Sequence, residues 1–279
     1  MNITIIKLFQ HRKEYDMKKL LSLLLAALLL SLALVSCSSG GTTVDDIKKA
    51  GTLTIATSPD FPPFESLGEG NKVEGIEIEI LEKIAEKFGV TLTIEQMDFD
   101  SVIPGINAGK YDLGVSGITV TESRKKNVLF TDPYCLAAQA IVVTAGSPIT
   151  SKADLTGKTV SVQTGTTAED YCMGEGYDVK GFAANNDAES ALVTGKVDAW
   201  VIDDLTAAEM VKAYNAENGE GSLVILDEAM TTEPYAFAMQ LGSEGLAAEL
   251  NKIINEMVSD GTIAAIFEKY EAPYTAPHN

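Results

Sequence analysis

Ile106-Asn-Ala-Gly-Lys-Tyr-Asp-Leu-Gly-Val115 is echoed by Leu192-Val-Thr-Gly-Lys-Val-Asp-Ala-Trp-Val201. Each stretch reads as the end of a helix, a Gly-Lys-x-Asp turn and the start of a strand. Glycine just past a helix is common, because it takes the left-handed conformation at little cost. An ordinary helix-to-strand turn therefore explains either stretch alone. Together they suggest two similar α/β units. The first strand leads into Ser116–Thr119 and the second into Asp203. In open α/β sheets, ligands sit beyond the carboxyl ends of the strands. Two such units facing each other would enclose a cleft lined by these polar groups.

The pattern extends in both directions. Thr52–Thr57 reads as a strand, and Ile76, Ile80, Ile84 and Phe88 recur every four residues as one helix face ending at Gly89. Val90–Glu95 and Tyr111–Val115 read as strands around a short helix over Ser101–Asn107. Beyond Tyr134, Ala140–Thr144, Thr159–Val162, Val197–Ile202 and Ala236–Gln240 read as strands. Ala168–Met173, Ala188–Val193, Leu205–Tyr214, Leu246–Ser259 and Ile263–Tyr270 read as helices. Such alternation implies mostly parallel sheets covered by helices.

The N-terminal region supplies an address. Met17-Lys-Lys precedes Leu20–Val35, which is apolar apart from Ser22 and Ser31 and ends in Leu34-Val-Ser-Cys37. A basic start, a short apolar core and small residues make a secretory signal. The run is shorter than the ~20 residues of a membrane-spanning helix. Leu-Val-Ser-Cys resembles a bacterial lipobox, whose cysteine carries the lipid of the mature protein. Met17 reads as the true start, because residues 1–16 fit no part of the signal. Ser38-Ser-Gly-Gly-Thr-Thr43 has the composition of a flexible tether.

Removing residues 1–36 takes away five Lys/Arg and two Asp/Glu, so the net charge falls from −19 to −22. That balance argues against nucleic acid and anionic lipid headgroups as partners. The only histidines, His11 and His278, stand near the chain ends, which leaves no His-based metal site or catalytic triad. Cys135 and Cys172 could pair in an oxidising compartment or remain as two buried thiols; the sequence leaves both open.

Asp112-Leu-Gly-Val-Ser-Gly-Ile-Thr-Val-Thr-Glu-Ser-Arg124 offers small residues that expose backbone groups, then hydroxyls, then a guanidinium. The guanidinium fork fits a carboxylate with two parallel hydrogen bonds. Arg124 falls in a first helical turn, where a cation opposes the helix dipole, so local structure gives no reason for it. Lys125 and Lys126 read as solvated. Asp203 precedes a helix, where aspartate is a favoured cap, and both roles are compatible. Thr164-Gly-Thr-Thr167 is open to two readings: a capping-box variant of Thr167 with Asp170, or an anion-binding turn. Phe61 lies between Asp60 and two prolines, a loop setting, while Phe64 reads as its buried partner. Tyr134, Trp200 and Tyr235 read as packing near lobe junctions.

Val73–Gly89, Phe99–Ile106, Tyr111–Thr119, Glu122–Lys125 and Phe130-Thr-Asp-Pro-Tyr134 together resemble the family 3 solute-binding proteins of polar amino acid ABC transporters, from about Thr52 to Tyr270. The resemblance implies a two-lobed α/β fold of the periplasmic-binding-protein type II, with two hinge crossovers and a ligand cleft. Residues 47–138 with 231–279 would form one lobe, 139–230 the other, and 37–46 the lipidated terminus and tether. The implied function is a lipid-anchored extracytoplasmic receptor, monomeric and without cofactor, that passes one amino acid to a membrane permease. Phe61 and Phe99 match the aromatics that grip the ligand. Ser116, Gly117 and Thr119 match the groups around its backbone end. Arg124 and the Thr164–Thr167 loop match the carboxylate clamp, and Asp203 matches the acid that pairs with the ammonium. Ser58 stands where some relatives carry an acid for a cationic side chain, which leans the ligand toward a neutral or polar one. Two other readings stay open. A dehydratase on the same scaffold would need a general base such as Glu65 or Glu233 in the cleft. A sensor module would need a further transmembrane and signalling segment.

Overall fold

Both Gly-Lys-x-Asp turns are built alike in the computed structural model, which describes residues 40–277. Gly109 and Gly195 take positive φ of 65° and 70°. The following amides, Lys110 and Lys196, reach back to the carbonyls of Gly105 and Ala191 at 3.1 and 2.9 Å. This closes each helix with a Schellman-type turn. The Asp112 carboxylate accepts from the Thr54 amide at 2.8 Å, and Asp198 accepts from Thr159 at 2.9 Å. The Asp112 and Asp198 amides return the bond to the carbonyls of Thr54 and Thr159, each at 2.8 Å. Each aspartate thus stitches its strand onto a parallel neighbour.

The chain runs α1 (Val44–Ala50), β1 (Thr52–Thr57), β2 (Asp60–Phe61), β3 (Glu65–Leu67), β4 (Val73–Glu74), α2 (Ile76–Phe88), β5 (Thr91–Gln96), α3 (Phe99–Asn107), β6 (Leu113–Gly114), β7 (Val128–Phe130) and β8 (Cys135–Ala137). It continues through β9 (Gln139–Thr144), β10 (Thr159–Gln163), α4 (Thr167–Gly174), β11 (Asp178–Phe182), α5 (Asn185–Val193), β12 (Ala199–Asp203), α6 (Asp204–Asn218) and β13 (Leu223–Ile225). It returns by β14 (Glu233–Tyr235) and β15 (Ala238–Gln240) to α7 (Glu244–Ser259) and α8 (Thr262–Lys269).

Two sheets of five strands carry the two lobes, in the orders β5-β1-β6-β15-β7 and β11-β10-β12-β9-β13. In each, the first three strands are parallel and the two remaining pairings are antiparallel, so one strand, β15 or β9, runs against the other four. The chain crosses between them at β8 and β14, which pair antiparallel as a two-stranded hinge. This is the two-lobed architecture expected from the alternating pattern.

Helix α2 shows how the apolar period becomes packing. Ile76, Ile80, Leu81 and Ile84 are fully buried, with Phe88 beside them. Each such side chain contributes roughly 1.5–3 kcal/mol on leaving water. Gly89, at φ 73°, ends the helix.

Strands β2, β3, β4, β7, β8, β11, β13 and β14 escaped the sequence reading. Strand β11 alternates little and stays largely exposed at a sheet edge. The others are only two or three residues long. The strand expected over Tyr111–Val115 narrows to Leu113–Gly114, because the small residues after it turn toward the cleft. Cys135 and Cys172 are both buried free thiols. The signal sequence and Cys37 lie outside the described residues.

Candidate functional site

Of the ten residues nominated from sequence, all but Ser58 and Thr164 line a single cavity of about 380 Å³, its mouth included. The cavity lies at the carboxyl ends of β6, β10 and β12, where the two sheets face each other.

The first lobe contributes the loop after β6. Gly117 has φ 53°, and a β-carbon there would run into the ring of Phe61. Glycine lets that aromatic close over the backbone. Two buried carboxyls support the loop from behind. Glu77 accepts from the Gly117 amide at 2.9 Å and from the Tyr134 hydroxyl at 2.7 Å. Glu65 accepts from the Ser116 hydroxyl at 2.9 Å. Burial, reinforced by the neighbouring Glu77, holds the Glu65 carboxyl well above the usual carboxylate range. Glu65 itself does not line the cavity.

Arg124 opens a single 3-10 turn, and its amide donates to Thr121 Oγ1 at 3.1 Å. Its guanidinium donates to the Thr119 carbonyl at 2.9 Å. Across the cleft it donates to the Gly165 carbonyl at 3.0 Å. It also stacks over Phe99, 5.5 Å from the ring centre. Burial pulls its pKa down, while Asp203, Glu233 and Asp170 push it back up.

The second lobe contributes Asp203. It stands at the cap position of α6, yet its side chain makes no cap hydrogen bond. Asp204 serves the turn instead, accepting from the Leu205 amide at 2.8 Å. Asp203 accepts from the Tyr235 hydroxyl. Burial, then the neighbouring Glu233, raises its pKa to about 8. Tyr235 is therefore more than packing: it holds the acid that faces the cavity. No ion pair joins Arg124 and Asp203 among the described residues, which leaves both groups for a third party.

The loop before α4 resolves differently from the capping box read at Thr167. Thr166 is the cap, accepting from the Glu169 amide at 3.2 Å. Glu169 returns to the Gly165 amide at 2.7 Å. Thr167 is thereby released: its hydroxyl donates to Glu233 at 3.0 Å and accepts from Gln139 at 2.9 Å.

Ser58 and Thr164 fall outside the lining. The Ser58 hydroxyl donates to Asp60 at 2.9 Å. The Thr164 amide donates to the Phe182 carbonyl at 2.8 Å, and its hydroxyl sits over Gly181. Gln163, Thr166, Ala168, Asn185, Val201 and Ile202 complete the wall. Most sit at or just past strand carboxyl ends, the one signal that would have found them. Among the described residues, no group of three His, Cys, Asp or Glu side chains is placed to hold a metal.

Residues 53–273 match the family model described as bacterial extracellular solute-binding proteins, family 3. The arginine-binding extracellular protein ArtP of Bacillus subtilis (strain 168) is 34% identical, over 91% of this chain and 98% of its own. The L-cystine-binding protein TcyJ of Escherichia coli (strain K12) is 28% identical, over 90% and 94%. Among solved structures, an ancestral arginine-binding protein bound to glutamine is 40% identical with a TM-score of 0.73, covering 80% of this chain and 99% of that one.

Proposed function

This chain belongs to the bacterial extracellular solute-binding proteins of family 3, and from that premise we propose that it closes two lobes on one amino acid and delivers it to the permease of an ABC transporter. The observation that carries this reading is the pair Arg124 and Asp203. They come from opposite lobes and line one cavity without pairing to each other. Buried charges need opposite partners once water leaves. A zwitterion supplies both.

In this reading, Arg124 and the unsatisfied first amides of α4 hold the ligand carboxylate. Asp203, steadied by Tyr235, takes the ammonium, whose charge draws the carboxyl into its ionised form. Phe61 and Phe99 flank the stem, and Ser116, Gly117 and Thr119 surround its backbone end. Closure removes water and completes the site, a hinge motion around a bound molecule. The dehydratase reading finds little support: Glu65 stands behind Ser116, and Glu233 is engaged by Thr167. Residues 1–36 act as the signal, and lipid on Cys37 tethers a monomer to the extracytoplasmic face of the membrane.

A thermal-shift panel of amino acids tests the proposal. A ligand at 100 times its Kd stabilises the protein by about 2.7 kcal/mol. Arg124→Ala should remove the shift without lowering the ligand-free melting temperature. An equal shift in that variant would refute the clamp.

A further inference from the structure

Behind the Ser116–Gly117 wall of the cleft, two acids meet out of reach of water. Glu65 of β3 and Glu77 of α2 are both fully buried. Their side chains lie within hydrogen-bonding reach of each other. Both oxygens of Glu77 are engaged, Oε2 by the Gly117 amide and Oε1 by the Tyr134 hydroxyl. Glu65 Oε1 accepts from the Ser116 hydroxyl, which in turn accepts from the Ser58 amide at 3.1 Å. Glu65 Oε2 is buried and receives no donor from the described residues. The titratable groups that face the pair are Asp60 on β2 and Tyr134 and Cys135 at the hinge, acids all. Neither glutamate takes part in an ion pair among the described residues.

Two carboxylates in contact cannot both stay charged away from water. One proton between them turns the clash into a charge-assisted hydrogen bond. The pattern of donors says which acid carries it. A protonated oxygen needs no donor, and Glu65 Oε2 is the one oxygen of the four that has none. Glu77 stays the anion and takes Glu65 as a further donor. That anion sets the shape of the wall. It holds the Gly117 N–H, and a trans peptide turns the Ser116 carbonyl the opposite way.

We propose that a single proton, carried on Glu65 Oε2 and donated to Glu77, locks the Ser116–Gly117 wall in its binding shape. Glu65 and Glu77 are positioning residues, since neither lines the cavity. The binding half of the proposal rests on the amino acid reading of the site; the proton itself belongs to the ligand-free protein. Without it, like charges meet behind the wall and push Ser116 and Gly117 off their supports. The sign follows from the raised Glu65 pKa. Its contribution to stability is complete below the unfolded value of about 4.3 and is lost as the pH rises through the folded one.

Glu65→Gln and Glu77→Gln test it from opposite sides. Glutamine copies a protonated acid, with an N–H for Glu77 and an oxygen for Ser116. Glu65→Gln should therefore bind the amino acid found by the thermal-shift panel as wild type does. At position 77 a glutamine must set its NH2 against one of the two donors, Gly117 or Tyr134. That variant should lose about tenfold or more in affinity. In ligand-free protein, the melting temperature of Glu65→Gln should gain on wild type as the pH rises from 5 to 8; Asp203 titrates in both and drops out of the difference. The infrared difference spectrum at pH 7, wild type minus Glu65→Gln, should show the carbonyl stretch of one protonated carboxylic acid. A merely structural Glu65 would leave the melting difference flat with pH and give no such band, and either result overturns the proposal. Affinity falling equally in the two variants would overturn it as well. If Glu77→Gln does not fold, the melting and infrared readings on Glu65→Gln still decide. If no amino acid binds wild type, the proposed function fails, while those two readings still accept or reject the shared proton.

Discussion

The two helix-to-strand joints hold their neighbouring strands with hydrogen bonds of 2.8 and 2.9 Å, yet the chain leaves them in different ways. In the first lobe the strand lasts two residues, Leu113–Gly114, before small residues turn the backbone toward Phe61 and on to Arg124. In the second it runs five residues, Ala199–Asp203, straight into a helix. One exit lays bare backbone groups and a cation; the other aims a single acid. The repeated part builds the scaffold, and the divergent part after it makes the site.

The sharpest way to break this division is to neutralise the acid exit. Asp203→Asn removes one partner of a buried charge pair, which costs about 3–5 kcal/mol and more than a hundredfold in affinity. The same residue sets a pH signature. Its pKa lies near 8 in the ligand-free protein, against about 3.9 in an unfolded chain. The folded state therefore holds that proton more tightly. This contribution to ligand-free stability is complete below pH 4 and is lost as the pH rises toward 8. Ligand binding runs the other way, since an ammonium favours the ionised acid. Affinity should climb by about tenfold per pH unit between 6 and 8, with proton release visible in calorimetry across buffers. A flat profile in wild type would separate Asp203 from the ammonium.

A smaller effect tests the repeated part. Asp112→Ala leaves a part-buried strand amide without its acceptor, at about 1–3 kcal/mol. The Asp198 bond is exposed, so water can take its place and Asp198→Ala should lower the melting temperature less. Amino acid affinity should stay near wild type in both, and a loss of affinity in either variant would show that the joints do more than build the scaffold. The smallest effect sits beside Arg124. Lys125 pairs with Glu122 at the surface, so Lys125→Ala should change stability by less than about 1 kcal/mol and leave binding intact.

The fold was legible because apolar periods of four and the paired Gly-Lys-x-Asp turns both arise from local geometry. Arg124 was legible because a cation in a first helical turn has no local purpose; Asp203 also read as a helix cap, and only the family resemblance singled it out. Asp60, Gln163 and Asn185 were not legible. They join the lobes through a contact between residues 125 positions apart, and no local pattern encodes it. Tyr235 packs at the hinge as read, but its hold on Asp203 was hidden for a related reason: the hydroxyl's partner is distant in sequence. Thr166 displaced Thr167 as the cap by one position, within the usual uncertainty of helix starts.

The hinge carries a mechanical consequence. Tyr235, which holds Asp203, and Glu233, which receives Thr167, both lie on β14 itself. Points near a rotation axis travel least, and points on the rim travel most. The acid at the hinge therefore keeps its posture as the jaws part. The bridges from Asp60 to Asn185 and from Arg124 to Gly165 join one lobe directly to the other and must break as they part. An arriving metabolite would meet an anchor that holds still, and the latches between the jaws would fasten only once the swing is complete.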